Sequence, residues 1–174
     1  AVGVWLLLVV VGYNGSRIEM WKNPWADPGD KGYQIVQSLY AVASGGLSGL
    51  GFGMSRQKFA YLPEEQNDYI FSIVCEERGF IGAAIIIALF ALLVIRGYWL
   101  ALHARDRFGA LTIVGITTLM AVQVFLNIAV VTNLIPSTGI ALPFFSYGGT
   151  ALVIQLAEMG IVLSISRQIP APPE

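Results

Sequence analysis

The chain has 174 residues, 56% of them hydrophobic and 12% charged. Soluble domains carry roughly a quarter charged residues, so this balance excludes an ordinary water-soluble domain and points to an all-α polytopic membrane protein. A formal net charge of −1 offers no attraction for nucleic acid, and a single cysteine, Cys75, excludes an internal disulfide and argues against a thiolate metal cluster.

Residues 1–12 (AVGVWLLLVVVG) are apolar but too short for the roughly 20 residues that cross a bilayer. No initiator Met or basic n-region precedes them, which argues against a signal peptide. They read as the end of a truncated transmembrane helix in a longer protein. Residues 13–68 read as an extracytoplasmic loop of mixed charge. Asn23-Pro24-Trp25 and Asp27-Pro28-Gly29-Asp30 mark turns, and Trp21, Trp25 and Tyr33 suit an interfacial belt. Residues 33–43 (YQIVQSLYAVA) predict a short amphipathic helix lying on the membrane. The glycine-rich stretch 44–53 (SGGLSGLGFG) lacks the Lys-Ser/Thr and the preceding strand of a nucleotide loop. It predicts close backbone approach to a neighbour or to lipid.

Three spans are expected, at 69–95, 110–131 and 147–166. Arg96, Arg105 and Arg107 place the 96–109 connection in the cytoplasm by the positive-inside rule. Residues 13–68 and 132–146 then lie outside, and the tail 167–174, with Arg167, lies inside. His103 in the cytoplasmic connection reads as a solvated loop histidine. The 132–146 stretch continues into TNLIPSTGIALPFFSYGG, dense in Pro and Gly yet apolar. It predicts a re-entrant or partly unwound segment, a structure tolerated when packed in protein or lining a cavity.

The polar residues concentrate around 58–82 (KFAYLPEEQNDYIFSIVCEERGFIG). Asp68 stands at the mouth of the first span, below a turn set by Pro63 and beside Glu64 and Glu65. A helix starting there puts Asp68, Ser72, Cys75, Gly79 and Gly82 on one small-residue face suited to tight packing. A partly desolvated carboxylate in that seam is suited to general-base chemistry. Helix capping by Asn67 or Asp68 is the structural alternative. Glu76 and Glu77 lie inside the span and call for a partner: Arg78, a neighbouring helix or a hydrated cavity. Arg56 and Lys58 precede the acids and suit a phosphate-bearing substrate, or are solvated loop charges. Gln123 and Asn127 on the second span, and Gln155 and Glu158 on the third, are intramembrane polar groups. An interhelical hydrogen bond from Glu158 to Gln123 or Asn127 is as good a reading as a functional one.

Two stretches carry a family resemblance. The run 23–82, with its L-P-E-x-x-x-D-[FY]-I-F core, and the run 127–152, with P-x-T-G-I-x-L-P-F-x-S-Y-G-G, resemble the C-terminal half of the SEDS family, the FtsW/RodA/SpoVE proteins of bacterial shape, elongation, division and sporulation. The resemblance covers the chain from about Trp21 and implies the last four of ten transmembrane helices. It leans toward the FtsW/SpoVE branch. It implies a peptidoglycan glycosyltransferase polymerising lipid II at the outer face of the bacterial cytoplasmic membrane, with undecaprenyl pyrophosphate leaving. The family's essential loop aspartate falls on Asp68, the expected catalytic base. Arg56, Lys58, Pro63, Glu64, Glu76, Glu77, Ser146 and Tyr147 are the expected substrate-binding residues. A class B penicillin-binding protein, other divisome or elongasome membrane proteins and membrane lipid are the implied partners. A divalent cation such as Mg or Mn would suit the leaving group, although no metal-ligand spacing marks its site. The sequence departs from the family pattern at Asn67, where Thr is usual, at Arg78, within the usual E-E-L-G, and at Thr150, where Ser is common. Without the family's preceding helices the chain is expected to be inactive alone. A lipid II flippase, using Glu76, Gln155 and Glu158, and a non-catalytic scaffold for the transpeptidase are the competing readings.

Overall fold

The computed structural model describes residues 18–28, 32–55 and 68–169. The expectations for 1–12, and those for Arg56, Lys58, Pro63, Glu64, Glu65 and Asn67, lie outside the described residues. Among those described, every regular element is helical: a helical turn over 18–22, a 3-10 turn at Pro24–Ala26, then α1 (Tyr33–Gly45), α2 (Ile70–Leu102), α3 (Arg107–Val131) and α4 (Gly149–Ser166). Helices α2, α3 and α4, of 33, 25 and 18 residues, are long and apolar enough to cross a membrane. The chain is an all-α, multi-pass membrane protein.

These helices are apolar all round, so their outward faces keep large side chains such as Leu92, Leu111 and Leu163 exposed, as a lipid-facing surface requires. Helix α2 packs along both α1 and α3, and α4 leans on α3. One core joins Tyr69, Phe71 and Phe90 to Met120, Val124 and Leu142; a smaller one joins Ala101, Ile113 and Val162 at the opposite end. Between them Gly97 is buried against Thr117: a Cβ on Gly97 would stand 2.4 Å from the Thr117 hydroxyl. Small residues let transmembrane backbones approach in this way. Gly97→Val is therefore expected to destabilise the bundle by about 2–3 kcal/mol, with part of the loss recovered in the Gly97→Val/Thr117→Ala pair. Thermal unfolding in detergent checks both; equal melting of Gly97→Val and the parent would contradict the close approach.

The α1 helix forms where amphipathicity predicts. Its apolar face, Ile35, Val36 and Ala41, is buried within the protein, against α2 and α3, and the Ser38 hydroxyl donates to Val131 O, 3.0 Å away. Trp21 is tied to the far end of α3: its indole N–H donates to Asn133 O (3.0 Å), and the Asn133 amide returns a bond to Trp21 O (3.3 Å).

Helix α2 departs from the expected first span in two ways. It continues past residue 95 to Leu102, so 96–102 is helical and the connection to α3 shrinks to 103–106. It is also broken at Gly79, where φ is 65° and ψ −166°. The small-residue stripe from Asp68 to Gly82 therefore does not run along one continuous helix. The glycine-rich stretch closes the break. Phe80 N–H donates to Gly46 O (2.8 Å) and Ile81 N–H to Leu47 O (3.2 Å), while Leu50 N–H donates to Glu76 O (2.9 Å) and Gly51 N–H to Glu77 O (3.1 Å). These are the backbone groups that a helix interruption leaves without intrahelical partners. The expected close backbone approach is present, and its partner is protein.

Candidate active site

Asp68 sits at the start of α2, half-buried. The residue after it, Tyr69, is 1% exposed and anchors the core, with its hydroxyl 3.4 Å from Ser137 Oγ. Tyr69 is the N-cap residue of α2 and makes no side-chain capping bond.

The Asp68 backbone is held by a residue whose role the sequence left open. Asn127, 1% exposed on α3, donates through Nδ2 to Asp68 O and to Ile140 O, both at 2.8 Å. One amide thus ties the head of α2 to the segment between α3 and α4. On that segment Gly139, at φ 69°, lies opposite the carboxylate: a Cβ there would stand 3.5 Å from Asp68 Oδ2. The expected bond from Glu158 to Gln123 or Asn127 is absent among the described residues; the Asn127 Nδ2 group is taken by these two carbonyls. Asn127→Asp, which has the same shape but no N–H, is expected to cost about 2–4 kcal/mol by facing acceptors with acceptors and leaving two carbonyls unpaired. Differential scanning fluorimetry checks this. A melting point within error of the parent's would mean that Asn127 is not the tie.

The 132–148 segment is irregular but held. Leu142 N–H donates to Ser146 Oγ (2.8 Å), and Phe144 N–H, on a residue with φ 63°, donates to Gln155 Oε1 of α4 (2.9 Å). Leu142 and Pro143 are buried. Ser146 thus works within this turn, while the Tyr147 side chain is 78% exposed.

Glu76 and Glu77 occupy a second locality, beside the Gly79 break. Both are buried, at 1% and 8% exposed. Ser55 Oγ donates to Glu76 Oε2. Arg78 does not pair with either acid: its guanidinium lies over the Phe52 ring, 5.1 Å from the centroid. Glu77 Oε1 is buried and, among the described residues, has no hydrogen-bond partner. Glu77, Arg78, Phe52 and Phe145 line an open cleft of about 310 Å³. Among the described residues no group of three His, Cys, Asp or Glu is placed to hold a metal ion.

Sequence reasoning singled out Asp68, Glu76 and Glu77 but not Ser55 or Gly139, and it left the function of Asn127 undecided. Asn127 carried one signal, an amide inside an apolar span. Ser55 and Gly139 carried none beyond their surroundings.

The FtsW/RodA/SpoVE family of cell cycle proteins matches residues 1–170. The chain belongs to that family. It is 53% identical over 161 residues to stage V sporulation protein E of Bacillus subtilis (strain 168), a match covering 92% of this chain and 44% of the relative. It is 46% identical over 170 residues to a probable peptidoglycan glycosyltransferase FtsW of Geobacter sulfurreducens, covering 98% of this chain and 46% of that one. The chain therefore spans less than half the length of these relatives. Among solved structures it resembles a chain of a peptidoglycan synthase complex described as coordinating polymerisation and crosslinking, with TM-score 0.73 and 29% identity over 98% of this chain and 49% of the other. It also resembles the rod shape determining protein RodA of Thermus thermophilus in an aspartate-to-alanine variant, with TM-score 0.60 and 32% identity over 78% of this chain and 41% of the other.

Proposed function

We propose that this chain forms the C-terminal part of a peptidoglycan glycosyltransferase that polymerises lipid II at the outer face of the bacterial cytoplasmic membrane. The observation that carries this reading is the placement of Asp68, whose backbone is clamped by Asn127 while its carboxylate faces Gly139. The carboxylate takes the proton from the 4-hydroxyl of the acceptor sugar. The oxygen forms a bond to the anomeric carbon of the donor, and undecaprenyl pyrophosphate leaves with the bonding electrons. Arg56 and Lys58, two cations on the same loop, are proposed to face the pyrophosphate. The main-chain carbonyls of Glu76 and Glu77 hold the glycine loop, and Glu77 lines the cleft beside it. The 13–68 loop and the 132–148 segment are read as extracytoplasmic and the 103–106 connection as cytoplasmic, from the arginines that flank it. A class B penicillin-binding protein is the proposed partner, in keeping with the synthase complex that the chain resembles.

The test is polymerisation of labelled lipid II by the polypeptide carrying the remaining family helices, purified with its transpeptidase and compared with Asp68 intact and replaced. Glycan strands made only by the parent support the base. Strands made equally by both remove Asp68 from catalysis, and strands made by neither would favour the flippase or scaffold.

A further inference from the structure

The end of the bundle away from Asp68 carries a cluster that the polymerase reading does not use. On the last turns of α2 the Arg96 guanidinium lies 4.2 Å above the Trp99 ring. Trp99 stacks in turn on His103, with centroids 4.2 Å apart and planes at 27°, and His103 Nδ1 is 2.8 Å from Trp99 O. His103 is the exposed loop histidine expected, and its ring is stacked on Trp99. Arg105 follows in the short connection and Arg107 opens α3, both exposed. Arg167 ends α4 at the same place, because Ile165 packs against Gly109 at the start of α3.

Two features decide what this rim fits. The nearby acid among the described residues, Asp106, is turned to the helix start, where its carboxylate accepts Gly109 N–H at 2.9 Å. Among the described residues the four arginines have no carboxylate partner. Directly beside them Leu102 and Phe108 are 84% and 81% exposed, continuous with the apolar sides of the spans. A cationic rim over an exposed apolar wall complements an amphiphile with a negative head, and a free anion would leave the wall unused. Clustered arginines at a membrane surface attract anionic lipid, and stacking on Trp99 holds Arg96 extended before any lipid arrives.

We propose that this end of the bundle, formed by Arg96, Trp99, His103, Arg105, Arg107 and Arg167, is a seat for anionic phospholipid headgroups. The inference is independent of the polymerase reading. It is tested by native mass spectrometry of the chain released from detergent with equimolar phosphatidylglycerol and phosphatidylcholine. The chain is expected to retain phosphatidylglycerol over phosphatidylcholine by about tenfold. The triple variant Arg96→Gln/Arg105→Gln/Arg107→Gln should lose that preference and retain the two lipids about equally. The corresponding Lys triple should keep most of it, with circular dichroism reporting equal helicity throughout. Equal retention of the two lipids by the parent, which needs no variant, overturns the proposal, as does a Gln triple that keeps the preference. Displacement of the lipid by millimolar inorganic phosphate assigns the rim to a free anion and overturns it too.

Discussion

Asp68→Asn is expected to lower lipid II polymerisation by about a hundred- to ten-thousand-fold, the range that a positioned general base contributes. The substitution separates chemistry from architecture. Asn127 holds residue 68 through its main-chain carbonyl, so the tie to α3 does not depend on the side chain. Tyr69, the core anchor, is untouched. An amide of the same shape can sit opposite Gly139 but cannot take a proton from a sugar hydroxyl. The variant should therefore melt with the parent and bind its transpeptidase while making no strands. Retention of more than about a tenth of the parent rate would remove Asp68 from the role of base. A large fall in melting temperature would make its function structural.

Gly79→Ala is expected to be strongly destabilising for a change of one methyl group. The position combines φ 65° with ψ −166°, a region essentially reserved for glycine and costing of order 1–3 kcal/mol for other residues. The added Cβ would also stand 2.4 Å from Gly49 N and 2.6 Å from Leu47 O. Leu47 O accepts Ile81 N–H across the break and Gly49 N–H donates to Gly45 O, so neither atom can retreat without loss of a hydrogen bond. The total should exceed about 3 kcal/mol, which lowers the melting temperature by roughly 6–12 °C in a protein of this size. Gly160→Ala is the matched control: that glycine is helical and meets nothing within 4 Å, so Ala should be neutral or stabilising by up to about 1 kcal/mol. Equal melting of Gly79→Ala and Gly160→Ala would show that the break does not require glycine.

What the sequence disclosed follows the range of the forces involved. Helices α3 and α4 were legible because long apolar runs have no soluble alternative, and α1 because its apolar residues recur with helical period. Asp68 was legible as a candidate because a carboxylate at the head of an apolar span demands a reason, and the family motif around it supplied one. The break in α2 was not legible. A lone glycine inside an apolar run is usually tolerated in a helix, and the groups that satisfy this break come from residues 46–51, about thirty positions earlier. The direction of Arg78 was hidden in the same way: local spacing offers Glu76 and Glu77, whereas the fold offers the Phe52 ring. Asn127 was visible as a polar oddity, but its two carbonyl partners lie 59 and 13 positions away, beyond any periodic pattern.

The double donation by Asn127 has a mechanical consequence. A single planar amide pins two chain segments, so residue 68 and residue 140 share one pivot. A push on the 132–148 segment, whether from a bound sugar chain or from a neighbouring subunit, is delivered to the main chain under Asp68 through two short bonds without any intervening relay. That rivet fixes the main chain from which the Asp68 side chain projects.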